Sequence, residues 1–291
     1  MRKIVVVGGS GFLGSHMADE LTERGFDVHI YDSYPSPYLS ADQTMVVGDI
    51  FEKEKLISAF EGSYAVFHYA AMAEIAATKE KPYEAVNVNV MGTLSVLEAA
   101  IGCAVERFVY ASTMYVYSTA GSFYRASKQS AEILIEAYQQ AGQINYTFLR
   151  YGSLYGPRAQ GWNGIKGYVK EIVDNGKIQY NGTGDELREY IHVKDAAKLS
   201  ADILAKEYEN KAVTISGVQS LTSSQLIRLI FEVVGVPVDL QLLPESRDRD
   251  HYSITPYRYS PKAAVKLVSN EYVDLGQGIL ELVESIHMGK R

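Results

Sequence analysis

Cysteine is almost missing from this chain. Cys103 is the only one in 291 residues, which excludes an internal disulfide and fits a reducing compartment. Positive charge is short too: 28 Lys and Arg stand against 35 Asp and Glu. With a net charge of −7 there is no basic excess to hold nucleic acid or an anionic membrane surface. Long apolar runs are also lacking. The opening "MRKIVVVGG" has an apolar run of only four residues before its glycines, too short for a signal-peptide core, and no later stretch approaches a bilayer span. The six histidines lie far apart, at positions 16, 29, 68, 192, 251 and 287, without metal-ligand spacing. These absences lead to the expectation of a cytoplasmic protein with no metal, no nucleic-acid partner and no membrane segment.

What the chain does have is an ordinary globular core, with 47% hydrophobic residues, and a regular rhythm. "KIVVVGG" (3–9), "DVHIYD" (27–32), "TMVVGDI" (44–50), "YAVFHYAA" (64–71), "RFVYAST" (107–113) and "NYTFLRYG" (145–152) are strand-like. Near-continuous apolar runs of this length suit strands covered on both faces. Helical patterns at 12–24, 52–60, 83–101 and 125–141 fall between them. Leu13, Met17 and Leu21 recur every fourth residue, and Gly25 supplies a stop. The alternation predicts an α/β fold, a Rossmann-type doubly wound parallel sheet with its ligand at the carboxyl ends of the strands. After about residue 158 the rhythm breaks into loop-rich stretches, "AQGWNGIKGY" and "YNGTGDELREY", and short helices near 222–234 and 277–288. The expected division is a dinucleotide-binding domain at 1–158, with a returning segment near 190–216, and a smaller carboxyl-terminal substrate lobe over 159–291.

"VVVGGSGFLGSH" places Gly8, Gly11 and Gly14 after a strand and into a helix. Glycines at that spacing permit a tight turn, let backbone N–H groups approach a pyrophosphate and let helix pack on strand. Phe12 and Leu13, at the helix start, belong to the same cofactor surface. Asp32 ends the second strand about 20 residues on, where a carboxylate accepts from the ribose hydroxyls. A 2′-phosphate would meet it as a like charge, and no Arg or Lys occurs between Asp32 and Lys53. The expected cofactor is therefore NAD rather than NADP. Asp49, followed by Ile50, is either an adenine contact or an ordinary strand-end carboxylate.

In "SFYRASKQSAEILIEAY", Tyr124 and Lys128 are four residues apart and share a helix face. A phenolate is a base for a substrate hydroxyl while hydride leaves the carbon. Free tyrosine has a pKa near 10, so the pair predicts that a nearby ammonium and an oxidised nicotinamide lower it. Upstream, Ser112 and Thr113 close a strand, where a hydroxyl can bind the same substrate oxygen.

With these motifs the chain resembles the extended short-chain dehydrogenase/reductases, in the NAD-dependent epimerase/dehydratase group acting on nucleotide sugars. "HYAA" (68–71), carrying Ala70 and Ala71, looks like the fourth-strand motif beside the cofactor. "NVMGTLSVLEAA" from Asn89 resembles the helix motif, and "LRYGSLYGPR" and "REYIHVKDAA" resemble later signatures. The resemblance implies that Thr113 is the catalytic hydroxyl, Tyr124 the acid/base, and Lys128 its partner and a ligand of the nicotinamide ribose. It implies Arg188 and Arg249 as partners of a substrate diphosphate, with a surface ion pair the alternative for Arg188. Ser112, Ser153 and Asn163, the last within "WNGI" (162–165), complete the expected substrate surface. It also implies a homodimer through the helices at 83–101 and 125–141, where Leu134 and Tyr138 either meet a partner or pack on the sheet.

Three departures shape the expected reaction. Met114 and Tyr115 stand where the group's dehydratases and decarboxylases carry an acidic residue. Only ten residues separate Thr113 from Tyr124, so part of the usual substrate wall is missing. Ser153 replaces a common asparagine. A nucleotide-sugar 4-epimerase fits best. An NAD-dependent dehydrogenase releasing a 4-keto sugar is the alternative. A reductase, a dehydratase or a non-catalytic dinucleotide sensor fits less well.

Overall fold

Strands of Val, Ile and Phe cannot leave either face in water, and this chain covers both. The computed structural model describes residues 1–246, 250–257, 264–267 and 269–289. In chain order the first half runs β1 (Lys3–Val7), α1 (Phe12–Glu23), β2 (Asp27–Asp32), β3 (Gln43–Val47), α2 (Lys53–Phe60), β4 (Ser63–His68), α3 (Ile75–Glu80), α4 (Pro82–Val86), α5 (Thr93–Gly102), β5 (Arg107–Thr113) and α6 (Ser122–Gln140). It continues through β6 (Asn145–Tyr151), β7 (Ser153–Tyr155), α7 (Gly164–Asn175), β8 (Ile178–Tyr180), β9 (Leu187–His192), α8 (Val193–Asp202), β10 (Lys211–Ile215), β11 (Ser220–Thr222), α9 (Ser223–Val234), β12 (Leu240–Leu242), β13 (Ala264–Leu267) and α10 (Leu275–Met288).

Eight strands form one sheet in the order β13-β10-β6-β5-β4-β1-β2-β3, every neighbouring pair parallel. The chain winds outward from β1 in one direction and from β4 in the other. A crevice therefore opens between the carboxyl ends of β1 and β4, where such sheets bind ligands. One face of the sheet packs against α1 and α8 through Met17, Leu21, Ala196 and Leu199. The other packs against α2, α5 and α6 through Leu56, Leu97, Ala131 and Ile135. A third apolar cluster, with Val169, Ile172, Leu226, Ile230 and Leu282, joins α7, α9 and α10.

The elements differ from expectation in two places. The helix expected at 83–101 is broken into α4, a π-helical turn over Asn87–Gly92, and α5; the wider turn carries Asn89, which is fully buried. The whole run Pro82–Gly102 is long and apolar enough to cross a membrane by length and composition, which corrects the statement that no stretch approaches a span. Here its Val96, Leu97, Ala99 and Ala100 are buried against the sheet. The stretch 159–168, expected as loop, contains the first turn of α7. Gly164 and Gly167 hide it by lowering helix propensity, but Asn163 caps it and Ile165, Val169 and Ile172 recur at helical spacing on its buried face.

Tyr138 packs on the sheet-side cluster and donates to Glu98, and Leu134 is half-buried. The large apolar side chains left exposed on these helices include Tyr83 and Ile133.

Candidate active site

One cavity of about 1120 Å³ runs along the carboxyl ends of β1, β2, β4, β5 and β6 and into the lobe. Its first wall is the turn from β1 into α1. Gly8 there has φ +82, and a Cβ on it would overlap the Ala70 backbone nitrogen. A Cβ on Gly14 would overlap the Gly8 carbonyl oxygen. Gly11 caps α1 without a side-chain hydrogen bond, so the first amide groups of the helix are left for a ligand. The Asp32 carboxylate accepts from Ser10 N at 3.0 Å and from Tyr34 N at 3.2 Å, which locks the glycine turn to the end of β2. A backbone cradle too tight for any Cβ, an open helix N-terminus and an acid at the second strand's end fit a dinucleotide.

Phe12, Leu13, Asp49, Ile50, Ala70 and Ala71 line the same cavity, as do Gly8, Gly11, Gly14 and Asp32. Asn89 does not. Its Oδ1 accepts from Met72 N at 2.7 Å, and its Nδ2 donates to Met72 O and Ser127 Oγ, both at 3.0 Å. It holds the 70–73 loop against α6 rather than offering a polar atom to a cofactor, which corrects the expected direct contact.

Thr113, Tyr124 and Lys128 come together on the opposite wall. Thr113 ends β5, Tyr124 lies in the first turn of α6, and Lys128 follows one turn later. The Lys128 ammonium donates to Ala111 O at 2.8 Å. It lies 4.7 Å from the Tyr110 ring centroid and 6.0 Å from that of Tyr124. The Thr113 hydroxyl favours the Tyr124 phenolate.

In the chain alone, burial dominates the electrostatics of both groups. Burial pushes Tyr124 up to about 12; the Thr113 hydroxyl opposes this and neighbouring Tyr252 adds to it. Burial pushes Lys128 down to about 7, against the pull of Glu132. In the folded chain alone, desolvation outweighs the attraction between ammonium and phenolate, so the resting pair is a phenol beside a half-charged amine.

This has a consequence for stability. A lysine that protonates near 10.5 when unfolded and near 7 when folded binds fewer protons in the folded state. The penalty, about 5 kcal/mol on the charged form, is complete below pH 7 and shrinks as pH rises toward the unfolded value. Lys128→Met is expected to raise the melting temperature while removing turnover. The gain at pH 6 should be about twice that at pH 9, and thermal melts at the two values would contradict this if the variant were equally or less stable at pH 6.

The expected substrate residues divide. Ser112 lines the cavity, but its hydroxyl donates to the buried Glu132 carboxylate at 2.6 Å. Asn163 also lines it, yet its oxygen caps α7 through Lys166 N at 3.1 Å and its amide donates to Leu154 O at 2.9 Å. Both therefore brace the wall that they line. Ser153 lines the cavity with its hydroxyl 3.5 Å from the Tyr252 hydroxyl. Arg188, on β9, faces the same space and lies 5.4 Å from the Tyr252 ring centroid. Its buried Nε has no hydrogen-bond partner among the described residues. Arg249 lies outside the described residues.

Sequence reasoning missed the segment 250–255. Where the short Thr113–Tyr124 connection was expected to leave the wall incomplete, His251 and Tyr252 line the cavity. Gly121 N donates to Asp250 O at 2.8 Å and Leu187 N to Ser253 O at 2.7 Å, and Lys79 pairs with Asp250 at 2.6 Å. No local motif marks this stretch; only its distant partners do.

Comparison with known proteins places this geometry. A model of the NAD dependent epimerase/dehydratase family matches residues 4–216. A Methanocaldococcus jannaschii protein named as a candidate UDP-glucose 4-epimerase is 28% identical, over 96% of this chain and 97% of its own. A dTDP-glucose 4,6-dehydratase of an Actinoplanes species is 26% identical, over 97% and 96%. The crystal structure of UDP-glucose 4-epimerase with UDP-glucose from Thermotoga maritima superposes with a TM-score of 0.80 at 26% identity, covering 99% of this chain and 100% of the other.

Proposed function

The chain belongs to the NAD dependent epimerase/dehydratase family, and from that premise we propose that it is a nucleotide-sugar 4-epimerase. The observation that carries this reading is the meeting of Thr113, Tyr124 and Lys128 on one cavity with the glycine turn, while Met114 is buried and Tyr115 takes the position beside it. No carboxylate stands at either place to drive elimination.

The cofactor is NAD, held by the cradle of Gly8, Gly11 and Gly14 with Asp32 at the ribose end. When bound it would supply a reversible hydride acceptor for the sugar carbon and positive charge beside the phenol. The residues of the chain manage the proton. Tyr124 receives it from the C4 hydroxyl and gives it back after the keto sugar has turned. Thr113 hydrogen-bonds the same oxygen and fixes its direction. Lys128, charged below about pH 7, favours the phenolate once desolvation is offset. Arg188 offers an unpaired buried donor to a diphosphate. The cavity exceeds the usual range of roughly 300–1,000 Å³ for a single small ligand, in keeping with two nucleotides bound together.

The Thermotoga relative was crystallised with UDP-glucose, so uridine diphosphate hexoses are the first substrates to test. Purified protein with NAD and UDP-glucose or UDP-galactose should give the C4-inverted sugar by NMR, with no net rise in NADH absorbance. Stoichiometric NADH would make it a dehydrogenase. A 4-keto-6-deoxy product would make it a dehydratase. Turnover of other nucleotide sugars alone would move the base preference and keep the reaction.

A further inference from the structure

A second phenol faces the cavity and takes no part in the C4 step. Tyr115 lies two residues past Thr113 on the 3₁₀ turn Met114–Tyr117, and its amide donates to Thr113 Oγ1 at 3.2 Å. Its hydroxyl is in a short hydrogen bond with Nδ1 of His251. Its ring stands edge-on to Tyr124 with centroids 6.1 Å apart and lies 4.6 Å from the ring of Tyr252. Tyr115, Tyr124, His251 and Tyr252 all line the one cavity. The histidine arrives from 136 residues away, on the segment that Gly121, Leu187 and Lys79 tie down. Tyr115 and His251 are each half-buried, so a proton on the imidazole can reach solvent.

A phenol hydrogen-bonded to imidazole is a proton-transfer couple. An acid for it to act on arises in this cavity, because turning a sugar hydroxyl into a ketone acidifies the C–H bonds on both neighbouring carbons. Two phenols on one wall, one serving the carbinol, place the other against an adjacent position of the same ring. We propose that Tyr115, with His251 as its proton partner, exchanges the hydrogen on a carbon next to the keto group of a bound nucleotide sugar, so that the site works on a second C–H bond of the ring.

The step balances without an oxidant. With His251 in the Nε2–H tautomer, Nδ1 takes the Tyr115 proton and the phenol oxygen takes the proton from carbon. The C–H electrons become the enolate double bond, and the carbonyl π electrons settle on the oxygen beside Thr113 and Tyr124. Once His251 has exchanged its proton with solvent, reversal through the same phenol returns a solvent-derived proton to the face it left. This deepens the reading of the cavity as a nucleotide-sugar site and rests on that reading, but not on C4 oxidation by this chain.

The test therefore supplies the ketone ready-made. The full chain with bound NAD is mixed in D2O with the UDP, TDP and GDP forms of 4-keto-6-deoxyglucose, and deuterium at C3 and C5 is followed by NMR. Exchange at one of these carbons should run at least about 10²-fold faster than in buffer. Tyr115→Phe and His251→Gln should lose that acceleration at saturating ketone, while the half-saturating concentration moves less than about threefold. His251→Gln keeps a hydrogen-bonding group beside Tyr115 but cannot take its proton, so loss there separates proton transfer from shape. Exchange no faster than buffer on all three ketones overturns the proposal, as does wild-type exchange in Tyr115→Phe. Exchange without C4 turnover would overturn the 4-epimerase reading and leave this one standing; C4 turnover without exchange would do the reverse.

Discussion

Tyr124→Phe is expected to lower turnover by about 10²–10⁴-fold, the range for removing a positioned acid/base, while NAD still binds. The substitution deletes one oxygen. The ring keeps its edge-on contact with Tyr115, and Thr113 keeps its bond from the Tyr115 amide, so the wall should stand. What disappears is the atom that takes the C4 hydroxyl proton. The neighbouring groups are engaged elsewhere: Lys128 is turned onto Ala111 O, the Glu132 carboxylate is fully buried in its pair with Arg150, and the Tyr115 hydroxyl is bonded to His251. Initial rates on the preferred nucleotide sugar, with an NAD titration of both proteins, measure the effect. Turnover within a factor of about three of wild type would end the proton-transfer role, because an acid/base contribution that small lies below the range for such groups.

The size of that effect depends on a quantity the sequence could not supply. Spacing put Tyr124 and Lys128 on one helix face and suggested that the ammonium and an oxidised nicotinamide together lower the phenol. The folded chain pushes the two in opposite directions, Tyr124 to about 12 and Lys128 to about 7, because both lie inside protein. Burial depends on what packs above a helix, and no local pattern records it. On the proposed function, the phenolate draws on charge that arrives with the cofactor as well as on Lys128.

The strands and the glycine turn were legible because their physics is local. A β-branched run between glycines has few alternatives to a buried parallel strand, and Gly8 and Gly14 sit where backbone meets backbone. The polar residues of the site were legible by type and not by partner. Ser112, Asn89 and Asn163 carry the expected groups near the expected place, but Glu132, Met72 and Lys166 claim them. His251 was the least legible of all. Its partner, Tyr115, sits where the resemblance had marked only the loss of a carboxylate.

Arg150→Met should cost about 3–5 kcal/mol of stability, the usual consequence of stripping one partner from a buried ion pair. Arg150 and Glu132 are both fully buried. The guanidinium donates to the two carboxylate oxygens at 2.9 and 2.7 Å and to the Tyr117 hydroxyl at 2.6 Å. Burial alone would lower the arginine's proton affinity, but the bonds to Glu132 hold it raised. Without Arg150 the carboxylate loses its two-pronged cationic partner in a dry core, and its pKa rises. A carboxyl whose folded pKa exceeds its unfolded value is accommodated at low pH and destabilises as pH climbs through that raised value. The loss should thus be larger at pH 8 than at pH 5. Adding Glu132→Leu should restore much of it, since two apolar side chains remove the orphaned charge. The melting temperature, expected to fall on the order of 10 °C in the single variant at pH 8, reports both. The pair also has a functional place. Glu132 follows Lys128 by one turn of α6, Ser112 precedes Thr113 at the end of β5, and Arg150 stands on β6 beside them. The pair thus fixes the register between the strand that presents the hydroxyl and the helix that presents the phenol. If the single variant melted like wild type, that clamp would be ornamental, and the alignment of Thr113 with Tyr124 would have to come from the 3₁₀ turn and Gly121 alone.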